Sequence, residues 1–256
     1  MRCKYITATA TCLAVLSVSP SFAQHIRTVN ITDTVTRYQL GHHVPAQASR
    51  EFASGMKALY KDRAEDALVH LTKAITIDPD FHAAVNNLGV AYFAVDRFDL
   101  AVGQFERAVA IDPHQSVGYF NLAIANVALR DFKAGEAAAR QGLRLDCSSR
   151  WGMLALGMSL VLQNRFTSEA IASLRKATAE FVQATFWLGY GLYNTGDMEA
   201  AKDQLTAFLR STDSDGAISR HAAALIREIE RAARNPQSGS ETAVVVETQR
   251  SSSVAR

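Results

Sequence analysis

Small residues in this chain recur every 34 positions. Gly55, Gly89 and Ala123 fall in step, as do Ala67 with Ala101, Ala74 with Ala108, and Pro79 with Pro113. The segments "KAITIDPD" (73–80), "RAVAIDPH" (107–114) and "QGLRLDCS" (141–148) keep the same register, with Gly142 and Cys147 replacing alanine and proline in the third. Around Gly89, the residues Val85, Leu88 and Tyr92 recur at helical spacing. A glycine inside a helix costs about 1 kcal/mol relative to alanine, so its recurrence calls for an offsetting contact. A pair of antiparallel helices supplies one. Gly55, Gly89, Ala67 and Ala101 let the two axes approach, while Leu88, Tyr92, Phe105 and Val109 fill the space beside them. Asp-Pro then ends each second helix, because proline cannot continue a helix and restricts the residue before it. Helix pairs at this period build a solenoid.

Residues 82–115, "HAAVNNLGVAYFAVDRFDLAVGQFERAVAIDPHQ", resemble a tetratricopeptide repeat in their small-residue pattern, in Tyr92 and Phe98, and in the Ala-X-X-X-Phe-X-X-Ala run from Ala101 to Ala108. Residues 48–81 and 116–149 form weaker copies. Two further pairs depart from the spacing: one around Leu156-Gly157 has an extra residue in its turn, and one around Leu188-Gly189 follows a linker about three residues short. The resemblance implies an all-α fold, a right-handed superhelical solenoid of about five antiparallel helix pairs over residues 47–213, of an exported, bacterial type. "DGAISRHAAALIREIERAARNP" reads as a helix within 214–235 that caps the last apolar face.

The ends carry different signals. Arg2 and Lys4, an apolar stretch from Leu13 to Val18, and Ser21-Phe22-Ala23 read as a signal peptide over residues 1–23. This predicts a periplasmic or secreted protein beginning at Gln24, with no transmembrane segment once the signal is removed. Taking away Arg2 and Lys4 leaves 25 basic against 25 acidic residues, a balance with no electrostatic pull toward nucleic acid. Cys147 is then the single cysteine and is expected to be buried. Residues 24–46 alternate β-branched with polar side chains and read as an extended arm. Residues 236–256 are rich in Ser and Thr and read as a disordered tail.

No catalytic constellation emerges. The seven histidines form no His-X-X-X-His pair, no Cys cluster suits zinc, and neither a Gly-X-Ser-X-Gly elbow nor a phosphate-binding glycine loop is present. The expectation is a non-enzyme with no metal and no cofactor. Glu65-Asp66 belongs at a helix start, where acids favour the dipole.

In tetratricopeptide proteins the first helix of each pair lines an inner, concave surface that binds a peptide or protein. The resemblance places Phe52, Met56, Asn86, Asn87, Val90, Phe93, Phe120, Asn121, Ile124 and Val127 there, followed by Leu154, Met158, Phe186, Tyr190 and Tyr193. The same residues read equally well as core between neighbouring helices. The family's carboxylate-clamping cations are missing, since the matching places hold Phe52, Met56, Asn87, Val117 and Asn121. The expected function is an exported interaction scaffold or adaptor for a protein or peptide. The alternative is an accessory or regulatory subunit of an envelope enzyme or of a polysaccharide or secretion assembly. The apolar "TAVVVE" (242–247) makes the tail a candidate for self-binding in the groove.

Overall fold

A computed structural model describes residues 41–212 and 216–234. Eleven α-helices follow one another from Ala46 to Arg234: α1 (Ala46–Tyr60), α2 (Ala64–Ile77), α3 (His82–Ala94), α4 (Phe98–Ile111), α5 (Ser116–Ala128), α6 (Phe132–Leu145), α7 (Arg150–Leu162), α8 (Ser168–Ala177), α9 (Val182–Thr195), α10 (Met198–Ser211) and α11 (Ala217–Arg234). Each odd-numbered helix packs on the helix after it, and consecutive pairs stack into a superhelical solenoid. The odd helices also touch one another in series, α1 to α3 and onward to α11, whereas the even ones meet chiefly the odd helices beside them. Closer spacing on one side of a stack curves it toward that side. The odd helices therefore form the inner layer.

The glycines mark where the two layers meet. A Cβ on Gly55, Gly89, Gly157 or Gly189 would stand 2.5–2.8 Å from the side chain of Leu71, Phe105, Leu174 or Leu205 on the following helix. The third pair solves the same problem in reverse. Ala123 faces a small-residue helix carrying Ala138, Ala139 and Gly142, and the Phe120 ring fills the gap. It lies so close that a Cβ on Gly142 or Gly152 would come within 2.4 or 2.3 Å of it.

The turns repeat as faithfully as the helices. Within the first four pairs the turn residue is left-handed: Asp62 and Asp96 at φ 58°, Arg130 at 67° and Asn164 at 59°. In the fifth, Gly196 takes φ 90°. Between pairs, Asp78, Asp112 and Asp146 each turn a carboxylate oxygen back onto the amide two residues on, at 3.3, 3.2 and 3.0 Å. The aspartate thus makes this turn in all three copies, which explains how Cys147 can occupy the third proline position. Cys147 is exposed, contrary to the burial expected of it, because that position points away from the stack.

The shortened joint before α9 also differs from expectation. Residues 178–181 match the length of 78–81, 112–115 and 146–149, so the linker is not short. Instead α8 ends early, with 10 residues against 14 in α2, α4 and α6. The extra residue in that pair's turn sits after Asn164, where Thr167 caps α8 through its hydroxyl to the Ala170 amide at 3.3 Å. On the outer layer Arg140 of α6 forms a two-pronged bond to Glu169 of α8, at 2.7 and 2.8 Å, and reaches Glu136 at 3.0 Å. At the far end α11 packs on α10 with Lys202 and Glu230 2.9 Å apart, and buries Ala222, Leu225 and Ile229. The residues read as signal peptide, as most of the extended arm and as tail lie outside the described residues.

Candidate functional site

The middle of the inner layer separates from the outer by charge, whereas the end helices α1 and α11 are charged. Residues 83–94, 116–128, 151–162 and 182–195, which make up nearly all of α3, α5, α7 and α9, contain no Asp, Glu, Lys or Arg. Outer helices carry the charge instead, as in "FDLAVGQFERAVAI" of α4. No residue of α3 or α5 is exposed, and in α7 only Arg150 is.

Within this layer the residues expected at the groove fall into three groups. Phe52 and Met56 of α1 and Tyr193 of α9 are half-buried, and the Phe52 ring lies 4.9 Å from that of Phe81. Asn86, Asn87 and Asn121 are buried amides. Asn121 donates to the Asn86 oxygen at 3.1 Å and accepts from the Trp151 indole at 3.4 Å, so one polar line crosses α3, α5 and α7. Asn87 donates to the Ala83 carbonyl of its own helix at 2.8 Å. Val90, Phe93, Ile124 and Val127 are buried beside this line, as are Leu154 and Met158.

The third group belongs to the packing between helices. Phe120 is a core residue, since its ring lies against Gly142 of α6 and Gly152 of α7. Phe186 meets Trp187, Phe208 and His221 at 5.1, 5.5 and 6.0 Å, and Tyr190 meets His221 at 6.1 Å. These rings join α9 to α10 and α11, so Phe120, Phe186 and Tyr190 pack between helices in this structure. A large aromatic opposite a glycine-rich helix is drawn into the space the glycines leave, and one-dimensional spacing cannot show that.

Sequence reasoning missed Trp151, His82, Asp112 and Gln115, all buried polar side chains near the starts of inner helices. Burial holds the His82 imidazole below its ordinary pKa, against the opposing pull of the Asp112 charge. Burial likewise lowers His221. Among the described residues no three of His, Cys, Asp and Glu gather as a metal site would need, and no helix is long and apolar enough to cross a membrane.

The tetratricopeptide repeat family model matches residues 52–116, which run from α1 to the start of α5. Those residues carry tetratricopeptide repeats. Among solved structures it is similar to a thermophilic tetratricopeptide-repeat protein, TTC0263 of Thermus thermophilus, at 19% identity and a TM-score of 0.58, covering 70% of this chain and 98% of that one. It is also similar to MamA from Desulfovibrio magneticus, at 16% identity and a TM-score of 0.57, covering 67% of this chain and all of that fragment. In the Cut9–Hcn1 assembly the figures are 15% and 0.63, over 82% of this chain and 48% of its match. No curated protein matches the chain. Identities this low establish the fold, a solenoid of tetratricopeptide type.

Proposed function

We propose that this tetratricopeptide-repeat protein is an exported scaffold whose inner layer receives an apolar, extended segment of protein. The observation that carries the reading is the uncharged middle of the inner layer: α3, α5, α7 and α9 present aliphatic, aromatic and carboxamide side chains, while the charges lie on the outer helices and on the end helices α1 and α11. Carboxamides suit a passing backbone because each both donates and accepts. An anionic peptide terminus would need cations that these helices lack. Export is supported by Arg2 and Lys4 ahead of the apolar stretch to Val18, and by the small residues at Ser21 and Ala23. A periplasm is the compartment proposed.

The test places a photoreactive residue at Met56 or Tyr193, both half-buried on inner helices, and at Val69, 54% exposed on outer α2. Irradiation in the native envelope fraction should join a partner to the inner positions and not to Val69. Adducts at Val69 alone would move binding to the outer face. N-terminal sequencing of the protein from that fraction should begin at Gln24; an intact Met1 on cytoplasmic material would refute export.

A further inference from the structure

The last helix carries its positive charge in a row. α11 turns Ser219, Ala222, Leu225 and Ile229 toward the stack, where they are buried. At about 100° per residue, Arg220, Arg227, Arg231 and Arg234 fall within about 60° of one another on the opposite side. All four are exposed. The row runs about 21 Å along the helix. Arg227, Arg231 and Arg234 line one open hollow of the surface together with Glu230.

The acids of the helix stand off this row. Glu228 and Glu230 lie about 70–90° to its sides, and Glu230 is engaged with Lys202 of α10, 2.9 Å away. The helix dipole accounts for part of the row only. Arg231 and Arg234 stand in the last turn, where cations offset the partial negative charge. Arg220 stands in the first turn, where the dipole disfavours a cation and no acid is present to compensate. Arg227 lies between the two ends, out of the dipole's reach.

A row of guanidiniums recognises an anionic partner, because each presents a flat fork of donors that fits phosphate or carboxylate. Besides the arginines, the exposed residues of α11 are Ala224, Glu228, Ala232 and Ala233. A specific protein interface closes around buried aromatic or aliphatic anchors, and this face offers none. A membrane surface requires none. Its phosphates form a continuous anionic plane, to which a straight row of cations adsorbs by charge. With no large apolar side chain to insert, the helix rests on the headgroups and does not enter the acyl region.

We propose that α11 docks the protein on an anionic phospholipid surface through the row formed by Arg227, Arg231 and Arg234 and continued by Arg220. The site is separate from the inner layer and does not depend on the reading of that layer as a groove. Each arginine near such a surface multiplies partitioning about five-fold, so three of them raise it about a hundredfold at low salt. Salt removes this gain, since the Debye length falls from about 10 Å at 0.1 M to about 3 Å at 1 M. Adsorption of this kind holds the scaffold at a membrane, although none of its described helices is long and apolar enough to cross one.

The experiment floats the protein, as it accumulates in its cell, with vesicles of phosphatidylcholine or of phosphatidylcholine mixed with phosphatidylglycerol, at about 0.1 M and about 1 M salt. The expected result is binding to the mixed vesicles at low salt only. Arg227→Gln/Arg231→Gln should weaken it about 25-fold, and Arg227→Lys/Arg231→Lys should keep it. Lys57→Gln/Lys61→Gln, which removes the same charge from exposed positions at the far end of the array, should leave it unchanged. Equal binding to neutral vesicles, binding that survives high salt, no loss in the glutamine variant or an equal loss in the far-end control would each overturn the proposal. Loss in the lysine variant would trace the effect to the fold and overturn it too. Arginine-dependent binding to soluble polyglutamate without binding to the mixed vesicles would make the partner an acidic protein instead. Crosslinking at Met56 and Tyr193 reads the groove separately, so either reading can fail without the other.

Discussion

Gly89 and Phe105 are the two halves of one contact: a Cβ on Gly89 would lie 2.6 Å from Cε1 of the Phe105 ring. Phe105 is fully buried on α4, and both residues sit mid-helix. The ring cannot retreat without opening space between the layers. Replacing Gly89 with Ala gains about 1 kcal/mol of helix propensity but overpacks a contact at a typical cost of about 1–3 kcal/mol. The expected net effect of Gly89→Ala is a lower melting temperature. Pairing it with Phe105→Ala should cost less than the two single losses added together, because the truncated side chain no longer meets the added Cβ. A thermal melt of the two single variants and the double one checks the coupling.

Phe120→Ala should act on stability before it acts on binding. The ring is the filling between α5, α6 and α7, where Gly142 and Gly152 leave no side chain to close a cavity. Loss of a buried Phe of this kind costs about 3–5 kcal/mol. Urea denaturation should show the midpoint shift, and a variant as stable as the wild type would mean the ring is not core.

Arg130 holds a left-handed backbone, at φ 67°, that a non-glycine residue adopts only at a cost. The same turn uses Asp62, Asp96, Asn164 and Gly196 in the other pairs. Arg130 is exposed, so little packing is lost on its removal. Arg130→Gly should raise stability by about 0.5–1 kcal/mol, while Gly196→Ala should lower it. Differential scanning calorimetry on both variants reads the two signs.

Acidification should weaken the fold through two histidines. Burial lowers both His82 and His221 from their ordinary value of 6.5. Their neutral forms belong to the folded chain, so protonation favours unfolding. Stability is then complete above pH 6.5 and falls as the pH drops below it, until the lowered folded values are passed. Melting temperatures measured from pH 7.5 down to 5 should decline, and the double variant His82→Gln/His221→Gln should show a shallower slope. An unchanged slope would assign the decline to other groups.

Much of the fold was legible because a solenoid's contacts are local. A helix that packs only on its neighbours writes its needs into nearby residues, so the glycine and alanine period announced both the helix pairs and their register. The Asp-Pro signal placed the ends of α2 and α4 at Ile77 and Ile111, though the working part proved to be the aspartate carboxylate. The absence of charge from α3, α5, α7 and α9 was likewise written in the chain.

What only the tertiary structure decided is which way each apolar side chain on an inner helix points. Phe93, Phe120 and Phe186 look alike in sequence. Phe120 became core because glycines on two other helices left room for it, and Phe186 because α10 and α11 close over it with Phe208 and His221. The shortfall before α9 moved from a linker into α8 for a similar reason. Turn geometry is set by a fixed four-residue connection, and the helix is the part free to lose a turn. Helical periodicity is a property of one element, whereas burial depends on what a second and third element leave vacant, and a one-dimensional pattern does not carry that information.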